Sequence, residues 1–253
     1  MIYIFNEFFY RPLFNALIFL YNSVSFGDLG VAIVVLTILI RIILLPLFYK
    51  SAKDQAIMQR LMPKIKEIQE NHKGDREKQS KAMMGIYREH KVNPFSGFFM
   101  LLIQLPILIA LYQVFLKEIT AESLNNVLYS FIFKPEIINY QFLGLVDLSQ
   151  RSLIIVVLAS LAQYFQGKLS LVKNNKPAKD LSPAEAMGRQ MVFIAPALTF
   201  VFLYSFGLPS AVGLYWLTTS IFSVIQQIAI NKRLRVSDEK LIEIDKELHH
   251  ASK

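Results

Sequence analysis

Arg41 interrupts an apolar stretch, GVAIVVLTILI-Arg41-IILLPLFY, that runs over residues 30–49. A charge at the centre of such a stretch costs ~2.5–3.5 kcal/mol or more in a bilayer, so it normally faces protein or a water-filled cavity. Other polar groups recur in the apolar segments. Thr37 is one turn from Arg41, and Gln104 lies midway along 95–116. Ser160, Gln163 and Gln166 are spaced three apart, and Trp216, Thr219, Ser220, Ser223, Gln226 and Gln227 form one helical stripe. No Asp or Glu sits at matching depth to pair with Arg41. What remains is glutamine, hydroxyl, carbonyl and water around an uncompensated cation, which suits reversible capture of an anion. Each glutamine or threonine taken singly reads as a hydrogen bond between helices, worth ~0.6 kcal/mol in a membrane.

Bond-making chemistry finds little support. There is no cysteine, and the histidines (His72, His90, His249, His250) all lie outside the apolar runs. Ser210 and Ser220 have no histidine or aspartate at their depth, which argues against an intramembrane protease. Neither a metal nor a cofactor is expected, and the chain reads as a non-enzyme.

The elements that must position these residues are helices. The chain is 54% hydrophobic, too apolar for an ordinary soluble domain. Five segments are long enough to span: about 30–49, 95–116, 149–166, 191–207 and 211–230. Gly207-Leu208-Pro209-Ser210 marks a tight turn between the last two. Residues 12–24 are apolar but short, and Asn15 and Asn22 break them. They read as a helix lying in the interface, with a sixth span as the competing reading. The fold class is an all-α integral membrane protein with five spans, an N-terminal interfacial helix and a cytoplasmic two-helix hairpin. Its divisions fall at 1–29, 30–230 and a basic tail, 231–253. Residues 1–11 contain Glu7 and do not resemble a cleavable signal.

Charge gives an orientation. Residues 50–93 carry 11 Lys and Arg against 6 Asp and Glu; residues 167–190 carry 5 against 2 and the tail 6 against 5. The intervening segments 1–29 and 117–141 are not basic. Of 27 basic residues, 22 therefore fall in alternate hydrophilic segments, which places the N-terminus outside and the C-terminus in the cytoplasm. This topology accounts for the net charge of +8 without sequence-specific nucleic-acid binding. On this placement Gln163, Ser223 and Gln226 lie toward the cytoplasmic ends of their helices, and Trp216 nearer the outer end. A cavity so lined opens to the cytoplasm and is closed outside.

The hydrophilic segment 51–93 is patterned. Met58, Leu61, Met62, Ile65 and Ile68 recur at helical spacing, His72-Lys73-Gly74-Asp75 marks a turn, and Met83, Met84 and Tyr87 follow. The pattern predicts a helical hairpin whose first arm is kinked or interrupted at Pro63. A solvated loop without a partner is one reading. The other is a methionine-rich docking surface for apolar segments, carried by Met58, Leu61, Met62, Met83 and Met84.

Three stretches carry a family resemblance: TILIRIILLPL (37–47), NPFSGFFMLLIQLPILIALY (93–112) and GLYWLTTSIFSVIQQ (213–227). With the order of parts, they resemble the YidC/Oxa family of membrane protein insertases over roughly residues 10–233. The resemblance implies a hydrophilic groove open to the cytoplasm and lipid. Arg41 is then the groove charge, Gln104 and Gln163 are lining positions, and Trp216 is the groove tryptophan. It implies an insertase and chaperone of the bacterial inner membrane that takes nascent membrane proteins and releases their apolar segments sideways into the bilayer. The hairpin receives substrates, and the basic tail and cytoplasmic loops contact ribosomes. Action alone or beside the Sec translocon stays open. Two departures are the lack of a lipoprotein-type cysteine near the start and of a large extracytoplasmic domain, so the chain looks like a minimal form or one without its N-terminal part. The alternative function is a small anion channel or transporter that uses Arg41 for selectivity. Inverted repeats or a second charged span would favour it, and neither is seen.

Overall fold

Three polar side chains set where helices begin. Asp28, Asp75 and Ser152 each accept a hydrogen bond from the backbone N–H three residues on, at 3.0, 3.0 and 3.5 Å. The structure is a computed structural model that describes residues 2–116, 121–171 and 183–251. Its N-terminal helical stretch comprises α1 (Ile2–Phe5), one π turn (Asn6–Tyr10) and α2 (Arg11–Ser23). Then come α3 (Leu29–Ile43), α4 (Leu45–Asn71), α5 (Arg76–Glu89), α6 (Ser96–Leu116) and α7 (Ala121–Val127). A small antiparallel hairpin, β1 (Gln141–Phe142) and β2 (Val146–Asp147), precedes α8 (Leu153–Ser170), α9 (Pro183–Ser205) and α10 (Ser210–Ala251). The protein is an all-α integral membrane protein apart from that hairpin.

Among the described residues four helices are long and apolar enough to cross a bilayer, within α6, α8, α9 and α10. The bent pair α3–α4 makes a fifth. Here the structure corrects the sequence reading. The stretch 30–49 is not one straight span: it breaks at Leu44 and turns by 66°. Pro46 is the cause. It has no N–H to offer the Ile42 carbonyl, yet it suits the first turn of a new helix. Arg41 thus sits in the last turn of α3, beside the negative end of the helix dipole.

Other boundaries move as well. The span expected at 149–166 begins at Leu153, because Ser149 donates both its N–H and its hydroxyl to Asp147 and closes a turn. α10 continues without a break from the membrane through the tail to Ala251. α4 passes through Pro63 without interruption. Leu61 and Ile65, on either side, are both buried against Val92 and hold the helix across the missing bond.

α2 is not among the helices that are long and apolar enough to span. It buries Phe14, Leu17, Ile18 and Tyr21 in a core shared with α3, α6, α8 and α10. Asn15, which breaks the apolar pattern, is buried. Its amide donates to the carbonyls of Arg11 (2.7 Å) and Val127 (3.0 Å) and accepts from Tyr129 N–H (2.6 Å). α8 and α10 approach closely because Gly213 leaves room: a Cβ there would stand 2.7 Å from Ile155 Cγ2. The first N–H groups of α10 are satisfied by loop carbonyls, Ser210 by Gln150 (2.8 Å) and Ala211 by Leu148 (3.1 Å).

Candidate functional site

The bend after Arg41 opens a cavity of about 440 Å³. α3 contributes Arg41, and α4 contributes Phe48, Ser51, Ala52 and Gln55. Met100, Gln104, Leu105 and Leu108 come from α6, Gln166 and Ser170 from α8, and Trp216, Ser223, Gln226 and Gln227 from α10. Among the described residues Arg41 is the single charged one in that lining, and it is only 6% exposed. Its guanidinium lies over the Phe48 ring, 4.3 Å from the centroid. Among the described residues no carboxylate forms a salt bridge with it. Gln104 donates from its amide nitrogen to the Tyr215 hydroxyl. Beyond Arg41, towards the start of α3, the bundle is filled by Leu36, Leu111, Val114, Leu214 and Tyr215.

A second cavity of about 270 Å³ lies on the far side of α8, lined by Gln59, Gln163, Gln166, Gly167, Ser170 and residues of α9. Gln166 and Ser170 border both cavities. Gln163 is a junction: its carbonyl oxygen accepts from the Trp216 indole N–H (3.2 Å) and from the Thr199 hydroxyl. That atom therefore ties α8, α9 and α10. At the polar end, Gln59 of α4 donates to the Ser170 carbonyl (3.2 Å), Asn231 of α10 donates to the Leu169 carbonyl (2.9 Å), and Arg233 lies over the Tyr49 ring.

The structure brings Arg41, Gln104, Trp216, Ser223 and Gln226 together around one cavity. Four other residues marked from sequence sit elsewhere. Thr37 is buried with its hydroxyl bonded to the Ile33 carbonyl (2.6 Å). Thr219 and Ser220 do not border the cavity, and Ser220 is buried. Gln163 faces the second cavity. Sequence reasoning passed over Phe48, Ser51, Gln55 and Ser170. For the α4 residues the signal was a face opposite its charged one, hidden by the supposition that the span ran straight to residue 49; Ser170 lies one turn on from Gln166 along α8.

The hairpin of α4 and α5 has the expected shape, but its methionine stripe is not a free surface. Leu61, Ile65 and Val92 are buried, with Met58, Met62, Met83, Ile86 and Tyr87 packed against them. Both arms spend their apolar faces on each other; Met84, 37% exposed, is the exception among the marked positions. Asp75 caps α5, and the Lys78 backbone N–H holds its carboxyl below the ordinary aspartate range. Part of the basic segment 167–190, residues 172–182, lies outside the described residues, as do the side chains of the tail beyond 233.

The sequence profile of the 60Kd inner membrane protein family matches residues 19–238. Proteins named membrane protein insertase YidC from Francisella tularensis subsp. novicida (strain U112) and subsp. holarctica (strain LVS) are each 36% identical over 216 residues. The alignment takes in 85% of this chain and 34% of each relative. The chain thus matches about a third of the length of these curated relatives.

Proposed function

This chain belongs to the 60Kd inner membrane protein family, and on that premise we propose that it is a membrane protein insertase whose cavity receives the polar end of a nascent membrane protein. One observation carries the reading: a buried arginine, without a carboxylate partner among the described residues, lines a cavity otherwise walled by amides, hydroxyls and apolar groups. A permanent structural cation would be expected to have a counter-ion, since an unpaired buried charge is destabilising. A cation that meets its counter-ion in an arriving substrate escapes that penalty during turnover.

The proposed step is non-covalent. A substrate tail must cross ~30 Å of hydrocarbon, and each carboxylate in it is costly there. A wet cavity reaching Arg41 shortens the dry path. At ~4 Å and an effective dielectric of ~20, a carboxylate and the guanidinium attract by ~4 kcal/mol before desolvation is charged against them. Burial of the following apolar segment in lipid, at ~0.8 kcal/mol per CH₂, then draws the chain out sideways. The orientation proposed is N-terminus outside and C-terminus in the cytoplasm, so the α4–α5 hairpin and the α10 extension meet the incoming chain and the ribosome. Against a channel stands the apolar packing of Leu36, Leu111, Val114 and Leu214 beyond Arg41.

Photo-crosslinking from positions 104 and 216 to a ribosome-stalled single-span chain tests the reading. Crosslinks should map to the substrate's N-tail and the first turns of its span. Crosslinks confined to lipid while the substrate inserts would contradict it.

A further inference from the structure

At the end of the bundle remote from the charged hairpin, two tight turns share an unusual choice of residue. The turn Ser25–Asp28 closes with Asp28 N–H to Ser25 O at 3.0 Å, and the turn Phe142–Leu145 with Leu145 N–H to Phe142 O at 2.9 Å. The central pairs are Phe26-Gly27 (φ 53° and 77°) and Leu143-Gly144 (φ 52° and 68°). Positive φ at both central positions is the type I′ pattern, whose first position favours Asn, Asp or Gly because Cβ clashes there. A phenylalanine and a leucine occupy it instead. Both side chains point away from the protein: Phe26 is fully exposed and Leu143 is 62% exposed.

Asp28 locks the two turns together. Its Oδ1 caps α3 through Val31 N–H, and its Oδ2 accepts the N–H of Leu143 at 2.7 Å. Phe142 closes the joint from the other side, its ring lying where a Cβ on Gly30 would fall, 2.2 Å away. The strained tip is therefore fixed rigidly to the first turn of a span.

We propose that this tip is a lipid anchor: Phe26, Leu143 and Leu145 are seated in the acyl-headgroup boundary of the leaflet at that end. Three observations select lipid as the occupant. Residues 137–146 contain no charged side chain. Further exposed apolar side chains stand at the same end of the bundle, Leu153 and Ile154 at the start of α8 and Phe206 at the α9–α10 turn, which the backbone bonds of Ser210 and Ala211 to Gln150 and Leu148 hold beside the hairpin. The tip also adjoins the points where α3 and α8 enter the bilayer, so water-exposed leucines there would border lipid in any case. Hydrophobic side chains at strained positions gain nothing in water, whereas in lipid their burial offsets the turn's cost. The anchor would fix the depth of α3 and hence of Arg41, thirteen residues or ~20 Å further along the helix. The proposal rests on the membrane placement and is independent of the insertase reading.

The chain has no cysteine, so single labels are unambiguous. The full chain carrying Leu145→Cys or Leu143→Cys, labelled with an environment-sensitive nitrobenzoxadiazole, is reconstituted into phosphatidylethanolamine–phosphatidylglycerol (3:1) vesicles. Exposed Lys134→Cys is the comparison. Iodide is present on both sides, and shallow doxyl lipids are added in parallel. The anchor predicts blue-shifted emission, strong doxyl quenching and at least about fivefold weaker iodide quenching than at position 134. Iodide quenching equal to that at position 134, at both tip sites, overturns it. So does protection that disappears on dilution of protein in lipid without doxyl quenching, which would identify a second copy of the chain as the cover.

Discussion

Replacing Gln163 by leucine should loosen α9 from the rest of the bundle by a modest, measurable amount. The side chain's oxygen accepts from the Trp216 indole and the Thr199 hydroxyl, and both are lost in Gln163→Leu. Interhelix hydrogen bonds in membranes average ~0.6 kcal/mol and reach ~1.7, so two give ~1.2 and at most ~3.4 kcal/mol. The lower figure is favoured by what the orphaned donors can do. Trp216 borders the cavity and can bond water there. Thr199, 3% exposed, can turn its hydroxyl to the carbonyl four residues back in its own helix. The expected loss is therefore about 1 kcal/mol, near the sum of two average bonds. The sole tryptophan of the chain is Trp216, so its emission reports the site directly. Titration of the purified protein from mild micelles into dodecyl sulfate, followed by circular dichroism, gives stability, and Trp216 emission gives local polarity. Gln163→Leu should lower stability by ~1 kcal/mol and shift the emission, with a Thr199→Val cycle showing coupling near the ~0.6 kcal/mol average. Unchanged emission together with zero coupling would show that the junction holds nothing.

Gly213→Val should destabilise the α8–α10 contact by about 1–3 kcal/mol, because its branched side chain would overlap Ile155; a shortened side chain in Ile155→Ala should recover part of the loss, and wild-type stability in Gly213→Val alone would contradict the packing. Acid should weaken the start of α5. The folded Asp75 carboxyl titrates below its ordinary range, so the cap is fully present above about pH 4 and is lost as pH falls through the lower, folded value. Hydrogen exchange at Lys78 and Gln79 should therefore quicken under acid relative to neighbouring turns, and Asp75→Asn, which caps without titrating, should abolish that dependence.

The legible parts of this fold were those that composition alone controls. Alternating apolar and basic segments located α6, α8, α9 and α10, and Arg41 stood out because hydrocarbon penalises it. The break at Leu44 was written in Pro46, but the apolar run continues past it to Tyr49 and hydropathy does not register a bend. The methionine stripe of α4 and α5 had the right period, yet period cannot say whether a face awaits a partner or already has one in the next helix. Asn15 reads as a blemish in an apolar segment because its three hydrogen bonds go to residues more than a hundred positions away or back to Arg11. Asp28 carries no signal beyond a helix cap, since its second oxygen serves Leu143, 115 residues on.

The charge on Arg41 is the centre of the account, and reconstituted insertion of a single-span substrate bearing two carboxylates in its N-tail tests it most directly. Arg41→Ala should slow insertion at least about tenfold, equivalent to ~1.4 kcal/mol, while Arg41→Lys keeps most of the activity and the same tail with amides in place of carboxylates loses its dependence on position 41. Wild-type insertion of the acidic tail by Arg41→Ala would contradict the account.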